Sequence, residues 1–199
     1  MEPEGKGAKA PETIETERLL LRRPKRSDAQ AVYDRYASDR EVTRYLSWPT
    51  HRSLADTLAF LAMSDDEWQR WPAGPYLVLT RTNGKAEALM GSTGLFYKSP
   101  NRAVTGYVFA KDGWGQGYAT EALQAMVHVA QQTGVKRLEA ICHAEHQPSA
   151  HVLEKCGFAR EEVRREHFVF PNLKPQKKSD VYSYVRFFES PATNSTPAK

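Results

Sequence analysis

Gly113-Trp114-Gly115-Gln116-Gly117-Tyr118-Ala119-Thr120-Glu121 is the stretch on which the reading of this chain turns. Three glycines fall within five residues. After them, Ala119, Ala122, Leu123, Met126, Val127 and Ala130 recur at the spacing of one helical face, with Glu121, Gln124, His128 and Gln131 on the other. Glycines carry no Cβ, so their backbone N–H groups can come close to a ligand. The start of a helix adds unpaired N–H groups and the positive end of its dipole. The combination reads as a socket for phosphate. It is not a dinucleotide fingerprint, because the third glycine is missing and no acidic residue ends the next strand. Nor is it a P-loop, since no Gly-Lys-Ser/Thr occurs.

Working outward, Thr105–Ala110 reads as a strand that contains Gly106 and runs into the loop. Gly134 closes the helix, and Leu138–His143 follows as another strand. A strand–helix–strand unit implies two parallel strands joined by a right-handed crossover. Upstream, Arg18–Arg22 reads as a first strand, and Ser27-Asp28-Ala29-Gln30 has the form of a capping box for a helix through Val32, Tyr33, Tyr36 and Ala37. Ser53 caps a longer helix through Leu54, Leu58, Leu61 and Ala62. Tyr76–Thr80 and Ala88–Tyr97 are strands around the hairpin signal Asn83-Gly84. Downstream, Pro148–Lys155 is a short helix, Glu162–Phe170 a strand, Pro171–Ser179 a basic loop and Asp180–Phe188 a last strand. The fold class is α/β, a mixed α+β single domain: a central mixed seven-stranded sheet with about four helices, in which the strands ending at Ala110 and His143 are the fourth and fifth. The domain is placed at residues 14–189, with 1–13 and 190–199 as polar, disordered tails.

The 199 residues fit one domain of common size. No apolar run approaches the ~18–20 residues of a membrane helix, and the N-terminus lacks the apolar centre of a secretory signal, so a cytoplasmic protein is expected. Cys142 and Cys156 form no metal or disulfide pattern and read as small buried hydrophobes. The net charge of +4 gathers at Arg18–Arg26 and Lys174–Lys178. Without a nucleic-acid motif it reads as solvated surface, and no DNA or membrane partner is expected.

At the glycine loop the sequence resembles the GNAT N-acetyltransferases, whose acyl-CoA loop follows Arg/Gln-x-x-Gly-x-Gly/Ala. The matching residues are Trp114-Gly115-Gln116-Gly117-Tyr118-Ala119, with Trp at the first position as in the RimJ/RimL-like branch. His146-Gln147-Pro148-Ser149 through Leu153-Glu154-Lys155-Cys156-Gly157-Phe158 is similar to that branch's Asn-x-x-Ser…Leu-Glu-Lys-x-Gly-Phe, and Arg18-Leu-Leu-Leu-Arg-x-Pro24 also fits. The resemblance implies that backbone N–H groups of Gly115, Gln116, Gly117, Tyr118, Ala119 and Thr120 hold the diphosphate of acetyl-CoA. It implies that Val108, Phe109 and Ala110 pair with the pantetheine arm where the fourth and fifth strands splay apart, helped by a bulge at Gly106. Ser149 would stabilise the leaving thiolate. His146 replaces an Asn that contacts the pantetheine arm. No metal is required.

The implied reaction moves an acetyl group from acetyl-CoA to a primary amine, of a small molecule or a protein N-terminus, by direct attack in a ternary complex. A homodimer is compatible with the resemblance. The general base is open: relatives carry a Glu where this chain has Val104 and Thr105, and Glu121, Glu145, His143 and His146 are the substitutes. Tyr45 and Trp48 either line the acceptor pocket or staple their loop to the core. A non-catalytic acyl-CoA-binding or ribosome/RNA-associated module is the alternative, and loss of rate on Ser149→Ala with intact cofactor affinity separates the two.

Overall fold

In a computed structural model, which describes residues 8–188, the strands are β1 (Thr13–Glu15), β2 (Leu19–Arg22), β3 (Pro75–Thr82), β4 (Lys85–Ser99), β5 (Arg102–Phe109), β6 (Arg137–His143), β7 (Ala159–Val169) and β8 (Lys178–Phe187). They form one sheet in the order β1-β2-β3-β4-β5-β6-β8-β7. All neighbours are antiparallel except β5 and β6, which are parallel. The helices are α1 (Ala29–Val32), continued by a π turn over Tyr33–Ala37, α2 (Leu54–Arg70), α3 (Tyr118–Gln132) and α4 (Gln147–Lys155). The sequence-predicted fourth and fifth strands are therefore β5 and β6.

Strand alternation divides the apolar residues between two faces. On the α3 face, Leu19, Leu21, Tyr76, Val78, Leu95 and Phe109 pack with Ala122, Leu123 and Met126 of α3 and Leu138 of β6. On the other, Leu77, Val108 and Ala110 pack with Val32, Tyr36 and Ala37. Of the stripe read from the sequence, α3 buries Ala122, Leu123, Met126, Val127 and Ala130 and partly buries Ala119; it buries Ala125 and Val129 as well.

The sheet has eight strands, one more than the sequence suggests. The addition is β1, a three-residue strand paired with β2 from Thr13↔Arg22 to Glu15↔Leu20, too short to show a period. Of the residues read as tail, 10–13 belong to the fold: Ala10 is buried and its N–H donates to Pro72 O at 2.9 Å, and Thr13 begins β1. Residues 1–7 and 189–199 lie outside the described residues. The capping box near α1 is closed by Asp28, whose carboxylate accepts the Lys25 N–H at 2.7 Å, and not by Gln30.

The feature that positions the site is the junction of β5 and β6. Their pairing is confined to Arg102↔Arg137, Ala103↔Leu138 and Val104↔Glu139. Beyond Val104 the strands diverge, while β5 stays paired with β4 up to Gly91↔Phe109. No register shift occurs at Gly106; the irregularities lie in β4 opposite Val78–Arg81 and at Tyr97–Ser99, so the strands part without the bulge expected there.

Candidate active site

β5 delivers the chain into a short turn at Lys111–Gly113, and α3 begins at Tyr118. That turn is tied down from outside. Arg35 donates to Leu89 O and pairs with Asp112 at 2.6 Å, and Lys111 pairs with Glu41 at 2.6 Å. Between turn and helix, Gly115 and Gly117 take φ of +73° and +80°, a region costly for residues with a Cβ. These two left-handed steps turn successive N–H groups to one side, and among the described residues the N–H groups of residues 115–120 meet no acceptor. A row of unpaired amides at the N-terminus of a 15-residue helix fits an anionic group such as a diphosphate.

The back of the loop is held by Arg18. Its Nη1 donates to Gln116 O at 2.8 Å, its Nε to Glu121 Oε2 at 2.8 Å, and its guanidinium lies 4.9 Å from the centre of the Tyr118 ring. Holding the Gln116 carbonyl behind the loop leaves the amides facing forward. Glu121 also accepts from Thr16 Oγ1 at 2.6 Å and from the Arg18 N–H. Although burial alone would raise its pKa, these hydrogen bonds and the Arg18 charge hold it below the usual range. Glu121 is thus a strut between β2 and α3. A groove of about 790 Å³ beside it meets the loop at Gly117 and Thr120 and includes Arg18 and Lys155.

The open edge of β5 lies next to the loop. Ala110 donates to Met90 O at 2.7 Å on the β4 side and accepts from Gly113 N. Alternation along the strand turns the Phe109 backbone to the opposite edge, where β6 has left. There Phe109 O accepts from Trp114 Nε1 at 2.7 Å. On the α3 face of β5, beside the wedge, Tyr107 Oη lies 3.0 Å from both Oγ and the carbonyl oxygen of Ser149, in the first turn of α4.

At the C-terminal end of β6 stands an aromatic wall. Tyr45 stacks on His146 with ring centres 4.6 Å apart and lies 5.0 Å from His143, which meets Phe170 edge-on. Asn172 fixes the loop that carries Tyr45, donating to Thr43 O and Trp48 O and accepting from the Thr50 N–H. Trp48 packs on the smaller core cluster. The two aromatic residues therefore divide the alternatives: Trp48 staples the loop and Tyr45 faces the histidines. His143 Nδ1 accepts the Glu145 N–H at 3.1 Å, so its neutral ring carries the proton on Nε2 and has no lone pair left for a base. Burial lowers the pKa of His143, and that of His146 to about 4, where the neighbouring His143 adds to the effect. An unfolded imidazole binds its proton near pH ~6.5. The native state thus binds fewer protons, and the stability this confers is complete above that value and lost as pH falls toward 4. The melting temperature of the wild type is expected to drop more steeply over that interval than that of His146→Asn; equal slopes would show that His146 does not titrate this way.

The sequence-predicted residues therefore fall into two groups around one wedge. Gly115 to Thr120 and Phe109 lie at its loop side, and Ser149 and His146 at its α4 side. Residues that sequence reasoning missed are Arg18, Tyr107 and Trp114 in these contact roles. Arg18 and Trp114 had a signal, as parts of the matching Arg-Leu-Leu-Leu-Arg block and of the matching loop; Tyr107 had none.

A row of unpaired amides at a helix N-terminus, next to a split between parallel strands, is an arrangement that suits a long phosphorylated thioester, the donor of the acyl-CoA-dependent acyltransferases. The comparisons agree. The sequence matches the family Acetyltransferase (GNAT) domain over residues 18–159. It is 32% identical over 152 residues to the uncharacterized N-acetyltransferase YnaD of Bacillus subtilis (strain 168), covering 74% of this chain and 83% of that one. It is 28% identical over 159 residues to the uncharacterized N-acetyltransferase p20 of Bacillus licheniformis, covering 78% and 87%. Among solved structures, a GNAT-family acetyltransferase from Bacillus anthracis is 27% identical over 88% of this chain and 98% of that chain, with a TM-score of 0.73. RimL, a ribosomal L7/L12 alpha-N-protein acetyltransferase in complex with coenzyme A, is 23% identical over 89% and 98%, with a TM-score of 0.77; at that identity the likeness speaks for the fold. The chain belongs to the GNAT acetyltransferases and is an acetyl-CoA-dependent N-acetyltransferase. Among the described residues no helix is long and apolar enough to cross a membrane.

Proposed function

We propose that this protein acetylates a primary amine, of a small molecule or a protein N-terminus, by direct attack on acetyl-CoA in a ternary complex. The observation that carries the reading is the early end of β5–β6 pairing at Val104↔Glu139, beside six unpaired amides and the Ser149 hydroxyl. The amides of residues 115–120 hold the diphosphate, Arg18 braces the loop from behind, and Lys155 lines the adjoining groove. The edge of β5 at Val108, Phe109 and Ala110 guides the pantetheine arm. Since Trp114 holds the Phe109 carbonyl and Ala110 is engaged on both sides, the Phe109 N–H is the group free to pair with it. The bound cofactor supplies a thioester carbonyl open to an amine, and Ser149 donates a hydrogen bond to the departing sulfur.

The amine enters past Tyr45, His143 and His146. Both imidazoles are uncharged at neutral pH, so the wall does not repel a cation. Glu121 and His143 are engaged elsewhere, so the amine's proton leaves to water at this mouth, near Glu145 and His146. RimL's printed substrate, a ribosomal protein N-terminus, makes N-terminal peptides one arm of the acceptor panel.

The test measures free thiol released from acetyl-CoA with a panel of small amines and peptides. Ser149→Ala is expected to lower kcat about 10²-fold, the scale of one lost donor to a developing anion, with acetyl-CoA affinity kept within about twofold. Unchanged turnover would remove Ser149 from the reaction. Cofactor binding with no turnover on any acceptor would favour a binding module.

A further inference from the structure

We propose that Tyr107 is a positioning residue that directs the Ser149 hydroxyl proton into the wedge between β5 and β6. The proposal rests on the reading above, in which Ser149 donates to the departing sulfur.

Tyr107 lies three residues past the last β5–β6 pair, on the α3 face of β5. Its ring packs on that face beside the gap left by the divergence, and its hydroxyl lies 3.0 Å from both the hydroxyl and the carbonyl oxygen of Ser149. A serine in a first helical turn ordinarily has a competing partner, the carbonyl three or four residues back. Here the carbonyl three residues back, His146 O, already accepts the N–H groups of Ser149 and Ala150 at 3.1 and 3.2 Å, and no bond from Ser149 Oγ to it forms. Tyr107 is the hydroxyl's one partner among the described residues.

The phenol has a single hydrogen, and Ser149 O can only accept. Two arrangements follow. If Tyr107 donates to Ser149 O, the close oxygen pair requires Ser149 to donate to Tyr107, and the serine proton is turned away from the wedge. If Tyr107 donates to Ser149 Oγ, the serine proton is released to point into the wedge, and the phenol polarises the hydroxyl behind it. A thiolate placed in the wedge favours the second arrangement, because it rewards a donor there. The exchange needs only two O–H rotations. Burial keeps the Tyr107 phenol protonated well above its ordinary range, so it serves as a donor throughout the working pH.

Tyr107→Phe keeps the ring and removes one oxygen. The experiment is a double-mutant cycle with Ser149→Ala, read as kcat and as acetyl-CoA affinity by calorimetry, the latter confirming that the fold and loop persist. Tyr107→Phe is expected to lower kcat about tenfold, the worth of one hydrogen bond of about 1.4 kcal/mol, with affinity within about threefold. In the Ser149→Ala background the same change is expected to have no further effect, because the residue acts only through Ser149. A silent Tyr107→Phe, or a loss that persists in full without the serine, overturns the proposal. An inactive role for Ser149 would show separately, as a silent Ser149→Ala single variant, and would overturn the underlying reading instead.

Discussion

Gly117→Val is expected to weaken acetyl-CoA binding about 10³-fold, through lost charge-assisted hydrogen bonds worth ~1.5–3 kcal/mol each. Gly117 caps α3 with φ of +80°, and a Cβ there would stand 3.3 Å from Arg18 Nη2. A β-branched residue is a strong outlier in that region. Relief requires rotating the peptide planes on either side of residue 117, which carry two of the amides proposed to hold the diphosphate. Two misdirected amides account for the expected loss. The Arg18 contact to Gln116 O is disturbed by the same rotation. The defect should be specific to the phosphates. S-acetylpantetheine lacks the diphosphate, and its weak turnover should be the same for wild type and variant. A comparable loss with both donors would mean that the substitution damages the wedge or the fold, and unchanged affinity for acetyl-CoA would remove the loop from cofactor binding.

The two regions differ in how much of them the sequence disclosed, and the reason is range. The glycine loop was legible because its chemistry is local. Residue types with free φ, followed at once by an amphipathic helix, determine the conformation and leave the amides unpaired. The crossover from β5 through α3 to β6 was legible for the same reason, since handedness and parallel pairing follow from chain order. The Tyr107–Ser149 pair was not, because the partners are 42 residues apart and meet only when two strands part. Glu121 was a candidate base in the sequence as a carboxylate in the first helical turn after the glycine loop. It is a strut in the fold because Thr16 and Arg18, more than 100 residues away, close around it. Local pattern cannot reveal such a partner. β1 escaped notice for a different reason: three residues carry too little alternation to stand out.

Gly91→Ala should cost about 3 kcal/mol or more of stability, at the upper end for overpacking, because the contact is with backbone and nothing flexible can yield. A Cβ on Gly91 would lie 1.9 Å from Val108 O, 2.9 Å from Val108 C and 3.0 Å from Phe109 Cα. The close approach arises where β4 is irregular opposite Val78 and Leu79. β5 would have to withdraw from β4, yet over Thr105–Phe109 β4 is its only neighbour in the sheet, since β6 has already diverged. The contact between Ala110 N–H and Met90 O would go with it, and that contact anchors the strand end from which the glycine loop departs. The same substitution therefore loosens the fold and the cofactor edge together. For a chain of this length the expected fall in melting temperature is about 10 °C, read by calorimetry or circular dichroism, with a weaker response to added acetyl-CoA than in the wild type. Gly106→Ala, on the same hairpin with nothing within 4 Å of its Cβ, serves as the control and should move the melting temperature by no more than about 2 °C. Equal behaviour of the two variants would mean that β4 and β5 do not approach as closely at Gly91 as the structure has them. If Gly91→Ala alone collapses, the split sheet depends on a single residue that allows β4 to carry β5 unaided.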